Sequence, residues 1–460
     1  MENNNIVVRL ARKIGIDGAI AYSSGARIIQ GVAGVGSVFF ISTFLTDVEQ
    51  GFYFTFGSIL ALQIFFELGL TGIMTQYVAH EASHLELRDD NTYIGDKRYL
   101  SRLASLIRFC VKWYSVLAII VLIFLIIVGF AYFSRYGDSQ AKDVSWRLPW
   151  VLVSFATAIQ LFISPFNSIL NGLGFIKNVT KISFFQQIIL PLSIWVGLMG
   201  GAKLFVSGIG YLLSSLVWIF MVYKGNLFAK LLSFAKIEIN ERISYVKEIL
   251  PYQWKIALSW VSGYFIFQMF NPVLFATEGA VVAGQMGMTL TAISAIQGLS
   301  TSWLSTKVPL FSSLIAQKKY NELDIISNKT MKQMTTVCLV LFVFFYICLY
   351  VIKILKIEFN GSLLSERFLF SIPLIMLMLA AYVNQFVNVW ATYLRCHKVE
   401  PLLWQSLVMA ILVSLSTLIG GKYGGLYAIT IGYCVLTVFV GAPWAYCIYK
   451  NKKKIWHGEY

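Results

Sequence analysis

Residues 109–133, FCVKWYSVLAIIVLIFLIIVGFAYF, form a continuous apolar stretch in this 460-residue chain. A helix needs about 20 predominantly apolar residues to cross the hydrocarbon core of a bilayer, and this stretch is long enough to do so. The whole chain is 58% hydrophobic and 13% charged, with a mean hydropathy of +0.71. Soluble domains carry about 25% charged residues. A soluble core could not bury this much apolar surface, so the sequence predicts an integral membrane protein.

Eleven other stretches have a similar length and composition, which predicts an all-α integral membrane protein with about 12 transmembrane helices. The predicted spans are 18–45, 51–78, 109–133, 148–171, 178–199, 204–223, 254–276, 280–310, 334–354, 368–394, 401–420 and 425–449. Pro165, Pro191, Pro272 and Pro443 fall inside these spans. Membrane helices tolerate such breaks where neighbouring helices satisfy the backbone groups that a proline frees.

The Lys and Arg residues lie mainly in alternate connections between the spans. With a cytoplasmic N-terminus, 27 of the 37 basic residues fall in cytoplasmic segments and 8 in outer loops. Cytoplasmic loops carry an excess of Lys and Arg, so this bias predicts cytoplasmic termini and an even number of spans. The location predicted is a bacterial cytoplasmic membrane. The net charge of +15 does not indicate a nucleic-acid partner, because the charge lies in short loops rather than in a soluble module.

A polar and basic central segment leaves six predicted spans on each side. We expect an N-terminal six-helix lobe at 1–223, a cytoplasmic connection at 224–252, a C-terminal six-helix lobe at 253–450 and a basic tail at 451–460. Two pseudo-symmetric bundles of this kind are typical of secondary transporters, in which the halves move about a central binding site.

The first two spans carry a recognisable pattern. A basic N-terminus precedes a glycine-rich first span, an acidic turn follows at 47–53, and the second span contains Phe66–Leu70. The glycines are Gly25, Gly31, Gly34 and Gly36. In this pattern, in the span count and in the central break, the chain resembles the polysaccharide flippases of the multidrug/oligosaccharidyl-lipid/polysaccharide (MOP) exporter superfamily, including the O-antigen repeat-unit flippases of the polysaccharide transporter family.

The resemblance implies two six-helix lobes around a hydrophilic cavity. It also implies transport of undecaprenyl-pyrophosphate-linked oligosaccharides to the outer leaflet, in the assembly of lipopolysaccharide or other surface polysaccharides. The implied partners are the lipid-linked oligosaccharide, membrane lipids, and the polysaccharide polymerase and chain-length machinery. The sequence has no GxxxxGK[ST] loop for nucleotide hydrolysis, and we predict no cofactor. The sequence leaves open whether a proton, a sodium ion or the membrane potential drives transport.

Two ionisable residues are predicted deep inside spans, where charges are costly and rarely face lipid. Arg27 lies nine residues into the first span, about 14 Å deep, and a guanidinium suits pyrophosphate. Glu67 lies about 16 Å deep in the second span. We expect either that Arg27 contacts the lipid pyrophosphate or that it forms a structural ion pair with Glu67. Glu67 is also a candidate carrier of a coupling proton.

Carboxamides recur inside several spans, where they either line a wet path or join helices by hydrogen bonds. The candidates for contact with sugar hydroxyls are Gln30, Gln63, Gln268, Asn271, Asn384 and Asn388, with Gln385 beside the last two. Lys255, near the cytoplasmic start of the seventh span, either meets phosphate at the entrance or extends to the membrane interface.

Two other functions compete with this hypothesis. The main alternative is a cation-coupled multidrug antiporter of the same superfamily. A cationic substrate favours buried carboxylates, and the sequence offers one, Glu67, against Arg27, which favours anionic cargo. The second alternative is a membrane zinc metalloprotease, because His80, Glu81 and His84 match HExxH. A third ligand at a characteristic spacing is missing, so we expect a polar helix end, no metal site and a transporter rather than an enzyme.

Overall fold

The computed structural model describes residues 18–88, 93–138, 144–359, 362–397 and 399–457, and the side chains of Arg27 and Lys255 lie outside the described set. Long helices occupy every predicted span. In chain order the twelve spans are Gly18–Phe44, Asp47–Glu67 with Leu70–Ala82, Lys97–Tyr136, Arg147–Gly172, Ile176–Met199, Phe205–Lys224, Leu250–Phe267 with Phe270–Thr277, Ala280–Ala316, Tyr320–Leu355, Ser371–Cys396, Leu403–Tyr423 and Gly425–His457.

Nine spans within the described residues are long and apolar enough to cross a membrane, and the bent second span makes ten. The first span has a shorter apolar segment, Ile29–Phe44, and the seventh span is divided at Gln268 and Met269. Together these elements confirm the predicted all-α membrane architecture of about 12 helices.

Successive spans run in opposite directions, so each end of the bundle collects alternate connections. We call the end where the third span begins, at Lys97, the basic face, and the end where the second span begins, at Asp47, the opposite face. Four helices extend six or more residues beyond their predicted bounds, all at the basic face. The third span begins at Lys97, the eighth continues to Ala316, the ninth begins at Tyr320 and the twelfth continues to His457. Two short hairpins join spans, Leu85–Leu87 with Tyr93–Gly95 and Glu358–Phe359 with Ser362–Leu363.

The bend of the second span is not at a proline. The second span bends by 43° where Leu68 and Gly69 adopt left-handed backbone, with φ values of 51° and 66°. Glycine tolerates this conformation, and a Cβ at position 69 would also lie 2.7 Å from Ile256 Cγ2 of the seventh span. Pro165 and Pro191 lie inside continuous helices, whereas Pro272 follows the division of the seventh span and Pro443 follows the π-helical segment Leu436–Gly441 of the twelfth. Neighbouring helices therefore fix the bend, and proline does not.

The interior of the first half is aromatic and closely packed. The Trp150 indole packs on Gly129 so closely that a Cβ there would lie 2.0 Å from the ring. Outward-facing positions are apolar as well. Ile127 of the third span and Phe344 of the ninth are 62% and 64% exposed, as lipid-facing side chains would be.

The connection between the sixth and seventh spans is held against the third span at the basic face. Arg102 Nη2 lies 2.8 Å from Glu248 Oε2 of the connection and 3.2 Å from Glu81 Oε1 of the second span. The Asn240 N–H donates to Ser101 Oγ at 2.8 Å. These bonds tie the connection to the first half of the molecule.

Candidate functional site

A cavity of about 1110 Å³ lies between the two halves of the chain. The first half contributes residues of the first, second, fifth and sixth spans, and the second half contributes residues of the seventh, eighth, tenth and twelfth. The cavity extends along the tenth span to Arg395, one residue before that helix ends at the basic face. The Arg395 side chain is 52% exposed, so the cavity is continuous with the basic face.

The polar lining of this cavity contains seven carboxamides together with hydroxyl groups of Ser, Thr and Tyr residues. Five of the residues predicted from the sequence line it together: Gln30, Gln268, Asn271, Asn384 and Asn388. Gln385, noted beside them in the sequence, and Gln297, which was not a candidate, line it too. Gln297 lies within an apolar stretch of the eighth span, so its depth in the membrane was a signal available in the sequence.

The amides differ in how far the protein itself satisfies them. Asn271 Nδ2 donates to Ser58 Oγ at 3.2 Å, and Asn384 Nδ2 donates to the Tyr433 hydroxyl at 3.1 Å. Gln297 Nε2 donates to the Ala381 carbonyl at 3.0 Å. These three link helices as well as line the cavity.

Other polar groups at the cavity have no protein partner among the described residues. The Gln30 and Gln268 side chains are exposed, and neither makes a hydrogen bond to another described side chain or backbone group. The Asn271 Oδ1 atom is buried without a hydrogen bond. Such groups are available to a polar ligand, because an amide can both donate and accept hydrogen bonds.

Aromatic rings complete the lining. They come from both halves: Tyr53, Phe54, Phe56, Tyr211, Phe267, Phe270 and Tyr433. Phe270 and Tyr433 meet edge to face, with ring centroids 5.0 Å apart. The described lining contains no carboxylate, and its one charged residue is Arg395.

Four predicted site residues are not brought into this described lining. Arg27 lies on the helix of the first span and Lys255 on that of the seventh, but their side chains are outside the described set, so the predicted Arg27–Glu67 pair is not described either. Gln63 does not line the cavity. Glu67 lies immediately before the bend of the second span, where its Oε1 accepts a hydrogen bond from Thr71 Oγ1 at 2.7 Å.

The two halves meet directly at the opposite face. A Cβ on Gly51 would lie 2.0 Å from the Ala280 carbonyl oxygen, and one on Gly284 would lie 2.9 Å from the Gly51 nitrogen. The first turns of the second and eighth spans therefore pack backbone against backbone. This close approach requires glycine and seals the cavity from the opposite face.

A buried ion pair reinforces the same contact. Arg367, 1% exposed, places Nε 2.8 Å from Asp47 Oδ1. Gln50 Nε2 donates to the Gly284 carbonyl at 2.9 Å and to the Arg367 carbonyl at 3.1 Å. We refer to Asp47, Gln50, Gly51, Gly284 and Arg367 as the latch. The sequence placed Arg367 only in an outer loop and did not indicate this role.

The HExxH residues are engaged in other contacts. Glu81 is 2% exposed and pairs with Arg102, while the His84 ring stacks on Tyr99 with centroids 3.9 Å apart. Within the described ranges, no group of three His, Cys, Asp or Glu side chains is placed to hold a metal ion.

Solved structures with a similar fold are transport proteins. An inward-facing multidrug resistance MATE family transporter of the MOP superfamily aligns with a TM-score of 0.60 and 15% identity, over 94% of each chain. The lipid II flippase MurJ, in an inward closed conformation, aligns with a TM-score of 0.66 and 13% identity, over 94% of this chain and 89% of that one. No family model and no curated protein matches the sequence. At these identities the likeness establishes the fold.

Proposed function

We propose that this protein is a flippase that moves undecaprenyl-pyrophosphate-linked oligosaccharide repeat units across the bacterial cytoplasmic membrane by alternating access. One observation carries the proposal. The cavity between the halves is lined by seven carboxamides and several aromatic rings, without a carboxylate among its described residues.

An oligosaccharide suits such a cavity. Sugar hydroxyls donate and accept hydrogen bonds, as carboxamides do, and the apolar faces of sugar rings can lie against aromatic side chains. The volume of about 1110 Å³ exceeds the roughly 300–1,000 Å³ typical of sites for drug-sized ligands. Exposed amides such as Gln30 and Gln268 can bind different sugars without a rigid, preformed pattern of partners.

The alternating-access cycle follows from the two ends of the cavity. Because basic loops are retained in the cytoplasm, we assign the basic face and both termini to the cytoplasmic side. The conformation described is then open to the cytoplasm and closed by the latch at the outer face. The lobes at 1–223 and 253–450 would move as bodies, with 224–252 as their connection. Release of the latch, with closure at the basic face, would expose the cavity to the outer leaflet.

Two predicted roles remain part of the proposal. Arg27 and Lys255 would contact pyrophosphate near the inner entrance. Glu67 would carry a coupling proton, since it lies at the bend of the second span, where a change in its charge would act on the helix that forms half of the latch. The polysaccharide polymerase and chain-length machinery would receive the product.

The alternative is a cation-coupled multidrug antiporter, and the similar fold of the MATE family transporter supports it. It needs negative charge to attract a cationic drug, and the described lining has none. The zinc metalloprotease has no support from the positions of Glu81 and His84.

The direct test is glycan export by cells that rely on this protein. Gln268→Ala together with Asn388→Ala should reduce surface glycan about tenfold, since each lost hydrogen bond costs ~0.5–1.5 kcal/mol. The matched control is Gln186→Ala, a fifth-span amide bonded to the Ser214 carbonyl outside the cavity lining. Lectin binding measures export, and immunoblotting of membranes measures insertion. Normal export by the double variant, with a normal protein level, would refute the proposed sugar site; a gain or loss of drug resistance would favour the antiporter.

A further inference from the structure

A second pocket of about 560 Å³ lies between the basic ends of the eighth and tenth spans. Its lining is mainly apolar and includes Val308, Ile315 and Ala316 of the eighth span, facing Thr392 of the tenth. Arg395 lines both this pocket and the central cavity. One cation therefore stands at the junction of a large polar cavity and a smaller apolar one.

The Arg395 guanidinium is held in place by Glu400, but some of its N–H donors are not used. Its Nε and Nη2 atoms each donate to Glu400 at 2.9 Å, to Oε2 and Oε1 respectively. Its Nη1 atom donates to no described residue. A guanidinium carries five N–H donors, so the edge formed by Nη1 and the remaining N–H of Nη2 is free for a second anion. That edge matches the spacing of two phosphate oxygens.

The pocket is open at the basic end of the eighth span. Ser312 and Ala316, which line the pocket, are exposed, whereas Trp303 and Leu310 lie on the other side of the same helix. Lys318 and Lys319 follow the end of the helix and place that end at the level of the headgroups. An isoprenoid chain that enters from this level would therefore meet the apolar pocket.

We propose that Arg395 and the second pocket form a seat for the anionic lipid carrier. The phosphate would bind the free edge of Arg395, the isoprenoid chain would occupy the apolar pocket, and the sugars would extend into the central cavity. This inference rests on the proposed flippase function and adds Arg395 as a contact of the lipid phosphate, in addition to the contacts proposed for Arg27 and Lys255. The order apolar, cationic and polar along the protein matches the order of chain, phosphate and sugar in such a substrate.

Glu400 gives the inference a diagnostic test. If the Arg395–Glu400 pair is only structural, removing either partner breaks it and both variants behave alike. If Arg395 binds phosphate, Arg395→Gln removes the ligand's partner, whereas Glu400→Gln removes a competing carboxylate. The two variants should then differ: only Arg395→Gln should weaken binding of an anionic lipid.

The experiment uses the purified full-length protein in nanodiscs and native mass spectrometry. The probes are undecaprenyl phosphate, the uncharged alcohol undecaprenol, phosphatidylglycerol and inorganic pyrophosphate. We expect undecaprenyl phosphate to bind best. Arg395→Gln should weaken it about tenfold or more, as expected for a charge-assisted hydrogen bond, and Glu400→Gln should strengthen it or leave it unchanged. The control is Arg147→Gln, which breaks the exposed Arg147–Asp138 pair at the opposite face.

A second variant tests the apolar part of the seat. Ala316→Trp should fill the pocket, weakening binding of undecaprenyl phosphate while leaving binding of pyrophosphate unchanged. The Ala316→Trp variant still tests the inference if Arg395→Gln cannot be purified. Equal effects of Arg395→Gln and Glu400→Gln, equal binding of undecaprenol or phosphatidylglycerol, or no effect of Ala316→Trp would overturn the inference. Such a result leaves the flippase proposal standing, because that proposal is judged by glycan export from the amide variants.

Discussion

At the opposite face the first turns of the second and eighth spans touch backbone to backbone, whereas at the basic face the tenth span ends on an arginine that lines an open cavity. The opposite face has few charges, yet it includes the Asp47–Arg367 pair, whose arginine is 1% exposed. The basic face has many charges. Two of its pairs, Arg98–Glu241 and Arg395–Glu400, are largely exposed, whereas Arg102–Glu81 and Lys453–Asp324 are mostly buried.

This difference separates two uses of charge. The abundant exposed charges favour one orientation in the membrane, because the number of Lys and Arg residues in the short loops sets that orientation. Each exposed pair adds little stability. A buried pair depends on geometry, because removing one partner leaves an uncompensated charge in the interior. We therefore expect substitutions in the latch to have larger effects than substitutions in the exposed pairs of the basic face.

Arg367→Met should have the largest effect on stability. It leaves Asp47 facing the protein without its cation, and breaking a buried ion pair costs about 3–5 kcal/mol. Since the Asp47 side chain is 33% exposed, we expect a loss toward the lower end of that range. Thermal unfolding of the purified protein measures the loss. Arg98→Met, which breaks an exposed pair, is the control, and equal shifts in the two variants would contradict a special role for the latch.

Gly51→Val should open the opposite face. The added carbons meet the Ala280 carbonyl, and overpacking of this kind costs typically ~1–3 kcal/mol, enough to shift a two-state population about tenfold. The readout is labelling of Gln268→Cys by a membrane-impermeant thiol reagent added from the outside, corrected for labelling of the native cysteines. Gly72→Ala, in the same span with open space around it, serves as the control. Unchanged labelling would show that Gly51 does not hold the gate closed.

Glu248 gives the basic face a weaker, pH-dependent contact. Burial acts to raise the pKa of Glu248, but the Ser244 N–H and Arg102 outweigh it, so the pKa is lowered. The stabilisation is complete above the ordinary glutamate pKa of about 4.3 and is lost as the pH falls through the lowered pKa. Limited proteolysis with an acid-active protease should therefore cut the connection before the seventh span faster at low pH. Glu248→Gln should be cut readily at every pH; a wild-type-like pH profile in that variant would exclude Glu248 as the titrating group.

Lys203→Ala should have the smallest effect. Lys203 Nζ lies 2.8 Å from the buried Glu49 Oε1, but the lysine side chain is 60% exposed. Glu49 retains its hydrogen bond from the Thr46 N–H, so we expect a loss below about 1 kcal/mol in the free energy of unfolding. Chemical denaturation provides the measurement. A loss similar to that of Arg367→Met would mean that distance from solvent does not determine the strength of these pairs.

Much of the site could be anticipated because polar side chains are conspicuous in apolar helices. Gln30, Gln268, Asn271, Asn384 and Asn388 were predicted from their depth in the spans, and the structure brings them to one cavity. Glu67 and Gln63 satisfied the same criterion, but they lie outside the lining. Depth in the membrane can be estimated from the sequence, whereas the direction in which a helix face points depends on its neighbours.

The bend in the second span shows the same limit. The visible candidates for breaks were Pro165, Pro191, Pro272 and Pro443. The seventh span is divided just before Pro272, but the bend of the second span lies at Leu68 and Gly69, where there is no proline. A proline removes a backbone hydrogen-bond donor wherever it stands, so a candidate break at a proline can be identified from the sequence. The left-handed pair at Leu68–Gly69 lies against Ile256 of the seventh span, a contact that no local pattern predicts.

The amino-acid sequence alone determined the number of spans and their approximate bounds, because apolar length and the bilayer thickness are local, one-dimensional quantities. The tertiary structure alone decided which end of the cavity is closed. Asp47 and Arg367 are separated by more than three hundred residues, and Gly51 and Ala280 by more than two hundred. Contacts between such distant residues arise from the packing of whole helices, which no local pattern records.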